Sequence, residues 1–389
     1  MRRLAAILFM ACLPVFRVAA DESVDIFKQI YATSDSFKQK YFALSMLVDT
    51  KDPIVALLLE STLKELIDSD AAKLGGSEKD AYDALLLLTC TYLGNFLHEE
   101  SKDDLMRVAR MKFSAQIRAE AIISLGRIRA LDYIGPIAAL LADLNLKPSQ
   151  DPAADEILAN ACIISLGKMS SLDGWPPVFY ATQGWYSSKV RLVADEILPV
   201  MVDDPSPAVA VVISKDAVPL KTLALQYENR SKAPRDRKIM VSILALKAGA
   251  AAPILNASDK GAAWALRSLA LQNLVTLGDS GLESVETCKL LWPLADLDEK
   301  LLILTVYGAN KRNEAAVELN SIILDYNRQR NDSLVSADLD RLAKAAIQNA
   351  GRAENAKAIP ALKAVSENSK WSSGVLMAAA EAMKLIIGQ

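Results

Sequence analysis

The chain has 389 residues, of which 52% are hydrophobic, 23% charged and 6% aromatic, and its formal net charge is −3. So apolar a composition excludes a disordered chain, and a charge this close to zero argues against the dense basic face of a nucleic-acid binder. His98 is the single histidine, which rules out sites needing two imidazoles, such as a His-rich zinc centre or a metalloprotease helix.

Taken in chain order, Arg2 and Arg3 open a basic stretch that leads into apolar Leu4 to Val15, broken by Pro14. Val18-Ala19-Ala20 then offers the small residues that a signal peptidase reads. The pattern predicts a signal peptide over residues 1–20 and an exported mature protein, periplasmic or extracellular, that begins at Asp21. The competing reading is a lipoprotein of the cell envelope, lipid-anchored through an acylated Cys12. Cleavage removes Arg2, Arg3 and Arg17 and no acid, so the mature chain is the more acidic and has no bulk attraction to anionic lipid. The uncharged runs Ala84–Leu97 and Gly174–Ser188 both fall short of the roughly 18 residues a membrane span requires, so no transmembrane span is expected in the mature chain.

Beyond residue 20, apolar residues recur at three- and four-residue steps, and an all-α chain is expected. Residues 21–75 read as an N-terminal helical cap. Asp52-Pro53 and Asp151-Pro152 read as N-caps with proline at the first helical position. Ser77, Ser101 and Ser258 each precede acids of a first turn and read as helix starts. Gly75-Gly76, Gly94, Gly126, Gly167, Gly278 and Gly308 read as helix ends, where left-handed backbone favours glycine. Cys90, Cys162 and Cys288 are widely spaced among apolar residues, which points to buried small hydrophobes rather than a disulfide framework.

An internal repeat organises the rest. Ile122-Ile123-Ser124-Leu125-Gly126 recurs unchanged as Ile163-Ile164-Ser165-Leu166-Gly167, Leu131-Asp132 recurs as Leu172-Asp173, and Pro136 as Pro177, all at one offset of 41 residues. That period falls in the range of helical solenoids. One unit reads as a helix over 114–129, with Ile117, Ala121, Leu125 and Ile128 on one face. A turn follows, and Pro136 opens a second helix whose Ile137, Leu140 and Leu141 face inward. Such a hairpin cannot bury both its faces alone and must stack on copies of itself. The expected architecture is an α-solenoid of stacked antiparallel helix pairs over 76–389, with a looser junction at the Pro-containing stretch 203–219.

These residues resemble the HEAT-repeat family. The match lies in Ile117-Arg118, Ala121, Leu125-Gly126 and Pro136. Val190-Arg191 with Ala194 and Leu198 is similar, although Pro199 replaces the glycine, and Leu266-Arg267 with Ala270 and Leu274 is another instance. Val375, Ala379 and Met383 fit the apolar positions, with Leu376 in place of arginine, and Ala358 to Leu362 resembles the start of a second helix. The resemblance implies a superhelical stack whose surface holds other proteins.

Chemistry is scarce. No nucleophile elbow, phosphate loop or dinucleotide fingerprint occurs, and His98 reads as a helix C-terminal residue favoured by the dipole. No catalytic residue, metal site or cofactor is expected. Two segments are candidates for partner binding. Residues 175–186 carry Trp175, Phe179, Tyr180, Trp185 and Tyr186; aromatic anchors are typical of interface hot spots, and the alternative is that they fill a wide junction between repeats. Trp185 and Tyr186 are the members expected to be exposed. The weaker candidate is a basic patch of Arg230, Lys232, Arg235, Arg237 and Lys238, which otherwise reads as a solvated loop entering a helix. The expected function is a non-enzymatic exported scaffold for a protein or peptide partner, with no nucleic acid. The alternatives are a small-molecule-binding or lyase-like HEAT protein and an envelope-organising lipoprotein anchored at Cys12.

Overall fold

A computed structural model describes residues 24–50, 52, 54–69, 71–332 and 336–388. The signal-peptide and Cys12 readings, and Pro53, lie outside the described residues. Among these residues all regular structure is helical, with no strand, and no helix is long and apolar enough to cross a membrane. The chain divides into two compact units, the first ending at Val202 and the second beginning at Asp203.

The first unit opens with helical residues 24–33 (α1) and continues with α2 (Phe37–Leu47), α3 (Ile54–Asp68), α4 (Gly76–Asn95), α5 (Lys102–Arg110) and α6 (Ala115–Arg127). It closes with α7 (Ile134–Leu146), α8 (Pro152–Met169), α9 (Trp175–Ala181) and α10 (Ser188–Met201). Helices α2, α4, α6, α8 and α10 form one row, each packed on the next. Helices α3, α5, α7 and α9 lie along this row, each packed on the helix that follows it in sequence. Within the second row α3 meets α5 and α7 meets α9, whereas α5 and α7 barely touch.

The 41-residue offset reappears in the element boundaries. Short 3-10 turns at Leu131–Tyr133 and Leu172–Gly174 lead into helices that start at Ile134 and Trp175. The long-helix starts do not keep that offset: Ser114 caps α6 by accepting from the Ile117 amide, whereas α8 begins earlier in the register, capped by Asp151, which accepts from the Ala154 amide. Ile117, Ala121, Leu125 and Ile128 are all buried, as are Ile137 and Leu141, so the apolar stripe faces the neighbouring helices as expected, whereas Leu140 is only half-buried.

Several predicted caps move. The N-cap of α4 is Gly75 rather than Ser77. Ser101 precedes α5, but its buried hydroxyl makes no hydrogen bond. The glycines differ more instructively. Among those expected to be left-handed, only Gly76 and Gly278 have positive φ. Gly94, Gly126 and Gly167 stay helical, and the left-handed residue comes three positions later, at Leu97, Arg129 and Ser170. The glycines serve close approach instead. A Cβ on Gly94 would lie 2.8 Å from Cα of Ser124, and one on Gly126 would lie 2.6 Å from Cα of Ser165. Each serine of the repeated Ser-Leu-Gly therefore rests on the glycine of the preceding long helix. Ser124 Oγ also donates to the Cys90 carbonyl at 2.7 Å.

The second unit comprises α11 (Ser206–Lys215), α12 (Val218–Arg230), α13 (Arg235–Ala250), α14 (Ala257–Leu277) and α15 (Leu282–Leu291), followed by α16 (Leu297–Ala309), α17 (Asn313–Asn331), α18 (Ala337–Arg352), α19 (Ile359–Ser366) and α20 (Ser373–Ile387). Here α14, α16, α18 and α20 make one row and α13, α15, α17 and α19 the other. The cap of α14 is Asn256, whose side chain accepts from the Asp259 amide, not Ser258. Leu266, Ala270 and Leu274 are buried, and so are Val375 and Ala379. Asn327 binds the last pair into place: it donates to the Ala364 carbonyl and accepts from Asn368 Nδ2 at 2.7 Å and Trp371 Nε1 at 2.8 Å.

Cys90, Cys162 and Cys288 are buried free thiols. Burial pushes the Cys162 thiol up to about 12 and raises the other two further, so none is a thiolate at neutral pH.

Candidate functional site

The aromatic segment is an internal wedge. Trp175 and Phe179 are fully buried on α9, stacked at 5.1 Å with their planes 9° apart. Tyr180 meets Phe179 edge-on at 5.3 Å and is half-buried. The expected exposure of Trp185 and Tyr186 is corrected: Tyr186 is 2% exposed and Trp185 is half-buried. Trp185 Nε1 donates to the Leu144 carbonyl at 2.9 Å, and Tyr186 Oη donates to Asn145 Oδ1 at 3.0 Å. Asn145 in turn donates to the Pro177 carbonyl at 2.9 Å. Both rings thus bind the end of α7 to the α9 region, which is the junction-filling alternative.

The basic patch is spent on structure. Arg235 donates from Nε to the Leu277 carbonyl at 2.6 Å and from Nη2 to that of Gly278 at 2.5 Å, closing the C-terminus of α14. Lys238 donates to the carbonyls of Asn229 and Ser231. Lys232 and Arg237 face Asp203 and Asp204 at 3.5 and 3.9 Å, and Arg230 lies over the Tyr227 ring. All five keep local partners, and only Lys232 lies in a loop: Arg230 ends α12, and Arg235, Arg237 and Lys238 belong to the start of α13.

His98 follows the left-handed Leu97 beyond α4, and its N–H donates to the Leu93 carbonyl at 3.1 Å, closing the C-terminus of that helix. Its Nε2 is 2.8 Å from Glu60 Oε2 and its Nδ1 is 3.3 Å from Glu100 Oε2. Hydrogen bonds from Lys64 and then from His98 hold the Glu60 carboxyl below its usual range. Glu228 behaves oppositely. It is fully buried, accepts from Ser206 Oγ at 2.6 Å and is raised mainly by desolvation. Among the described residues no cluster of His, Cys, Asp and Glu has the arrangement of a metal site.

A concave feature lies elsewhere. Between α5 and α7, over the first half of α6, a cavity of about 410 Å³ is lined by Met106, Ile122, Ile137 and Leu140. Arg110, Arg118 and Asp143 supply its charge. Arg118 Nε donates to the Ala109 carbonyl at 2.8 Å, which fixes its guanidinium against the end of α5. Arg110 and Asp143 are exposed. A second cavity, of about 210 Å³ beside Trp292 and Tyr326, is internally paired: Lys289 meets Glu318 at 2.5 Å, and Asp325 pairs with Arg328.

None of the residues that line the first cavity is a candidate site residue by sequence. The signal was present at the 41-residue offset, where Ala138-Ala139 correspond to Phe179-Tyr180 and Arg118 corresponds to Ala159. No protein-family model matches this chain. No curated protein matches it significantly either.

Proposed function

We propose that this protein is a non-enzymatic, exported scaffold that binds a protein or peptide partner through the surface of a HEAT-like α-solenoid. The observation that carries the reading is the next-but-one order of helix contacts, together with the return of the 3-10 turn and the short-helix start after 41 residues, at Leu131 and Ile134 and again at Leu172 and Trp175. Repeats in such an order contact mainly their neighbours and leave an extended surface for binding. The scaffold role itself is an inference from architecture, because fold alone does not fix function. Export is supported by Arg2, Arg3, the apolar run Leu4 to Val15 and the small residues before Asp21.

Crosslinking in the cell envelope of the native host, followed by affinity capture and mass spectrometry, tests the reading. The expected result is reproducible enrichment of one or a few exported proteins, whose direct binding is then measured with purified components. Absence of any direct binder overturns the scaffold function. N-terminal sequencing of the captured protein is expected to begin at Asp21, and an intact Met1 on functional protein overturns the export reading.

A further inference from the structure

We propose that the cavity between α5 and α7 receives the C-terminal end of a polypeptide partner: a free main-chain carboxylate carrying an apolar last side chain. This rests on the scaffold reading and gives the partner its chemistry.

The hollow belongs to one copy of the repeat. In α9, Tyr180 occupies the register of Ala139, the alanine of α7 that lines the cavity, and Trp185 and Tyr186 close the neighbouring groove through Leu144 and Asn145. In the first copy α5 and α7 barely touch, and small side chains leave the space open. Its volume of about 410 Å³ lies within the roughly 300–1,000 Å³ usual for ligand pockets.

Charge selects the occupant. The Arg118 guanidinium is fixed through Nε to the Ala109 carbonyl. Among the described residues its two terminal amino groups have no hydrogen-bond or ion-pair partner. A fixed planar fork of two N–H groups matches a carboxylate bidentately. Arg110 adds a second cation, and Asp143 on α7 offsets one of the two. The lining therefore suits a single negative charge. Asp143 is also an acceptor for a main-chain N–H behind the terminal carboxylate, and it disfavours a partner with acidic side chains near its end. Met106, Ile122, Ile137 and Leu140 give the last side chain an apolar floor. A free amino acid, whose ammonium would also pair with Asp143, is an outcome that the test separates.

The full chain is titrated by fluorescence anisotropy against fluorescein-labelled Gly-Ser-Gly-Ala-Leu with a free C-terminus, and against the same peptide as its C-terminal amide. The acid is expected to saturate, with the amide at least about tenfold weaker, a factor equal to the loss of one charge-assisted contact. Ala139→Tyr imports the residue of the second copy at an exposed position and is expected to abolish binding. Arg118→Gln keeps a donor for the Ala109 carbonyl and is expected to reduce the acid to the affinity of the amide. Equal affinity for acid and amide, wild-type binding by Ala139→Tyr, or no saturation up to about 1 mM overturns the proposal. Free leucine competing as well as the peptide also overturns it, in favour of an amino-acid site. The acid-to-amide ratio needs no variant, so a misfolded mutant does not leave the question open. The two readings fail separately. Crosslinked partners that bind wild type and Ala139→Tyr alike retain the scaffold and sink the cavity proposal, whereas absence of any partner sinks the scaffold while the titration still reports on the cavity.

Discussion

The helix pairs α6–α7 and α8–α9 share a skeleton and differ in what fills it. Both carry Ile-Ile-Ser-Leu-Gly at the end of the long helix, a 3-10 turn at the same spacing, and a proline in the first turn of the short helix. In the second pair Trp175 and Phe179 stack inside, and Trp185 and Tyr186 seal the groove toward α7. In the first pair Ala139, which lines the cavity, stands in the register of Tyr180. The backbone is therefore set by the shared apolar and glycine positions, while the free positions of the short helix decide whether the groove is core or pocket.

The largest expected effect empties the filled copy. Phe179→Ala removes a fully buried ring stacked on Trp175 and is expected to cost about 3–5 kcal/mol in chemical denaturation. A cost below about 1 kcal/mol would mean that the second copy is not held by its rings, and the comparison would break. Leu125→Ala and Leu166→Ala test the shared skeleton. Both side chains are fully buried, so each substitution is expected to cost about 2–5 kcal/mol. A near-neutral result at either one would show that the two leucines are not equivalents.

Glycine separates the copies more finely. Gly126→Ala sets its Cβ against backbone, 2.6 Å from Cα of Ser165, and is expected to cost about 1–3 kcal/mol. Gly167→Ala meets Cγ2 of Ile197, also at 2.6 Å; this atom sits on the branched Cβ of a helical residue, so Ile197 must shift, although no backbone atom is in the way. Better helix propensity returns about 1 kcal/mol in both variants, so the second substitution is expected to destabilise, but by less than the first. Thermal melts of the two variants side by side read the difference. Equal losses would show that the close approach is the same in both copies.

The parts legible in sequence were those with a periodic or covalent cause. The all-helical character, the buried stripe Ile117, Ala121, Leu125 and Ile128, and the three buried thiols follow from spacing and polarity alone. Glycine roles were misread because closeness to a helix end is visible in sequence, whereas contact with a neighbouring helix is not; Gly94 and Gly126 answer to serines 30 and 39 residues later, at Ser124 and Ser165. The rings at 185–186 were misplaced for a similar reason. A tyrosine near a glycine resembles a surface loop until its hydroxyl is seen to reach Asn145 on another helix. The cavity is illegible in sequence because it consists of what is missing: Ala139 is unremarkable until it is set beside Tyr180.

Hydrogen bonding gives a smaller contrast between the copies. Ser124 donates to the Cys90 carbonyl, whereas the buried hydroxyl of Ser165 has no partner. Ser124→Ala is expected to cost about 1 kcal/mol. Ser165→Ala is expected to be neutral or slightly stabilising, because it removes an unsatisfied polar atom. The opposite order in urea denaturation would show that the two serines have exchanged roles.

The smallest effect concerns the residues that end the two long helices. Arg129 and Ser170 both have φ of 53°, a left-handed conformation that strains a side chain with a Cβ. Their side chains are exposed, so little contact is lost on replacement. Arg129→Gly and Ser170→Gly relieve a strain of roughly 1–2 kcal/mol. Each substitution also gives the unfolded chain more freedom, which takes back about 0.4–1 kcal/mol. A net gain of about 0.5–1 kcal/mol is expected at both positions, since the strain relieved exceeds the entropy lost. Because the two positions lie 41 residues apart, at the same point of each copy, the gains should match and should add in the double variant, as for sites without shared partners. Matched, additive rises in melting temperature would place the origin of the difference between the copies in the short helices alone. A gain at only one position would mean that the copies already diverge at the turn, before the first residue of α7 or α9.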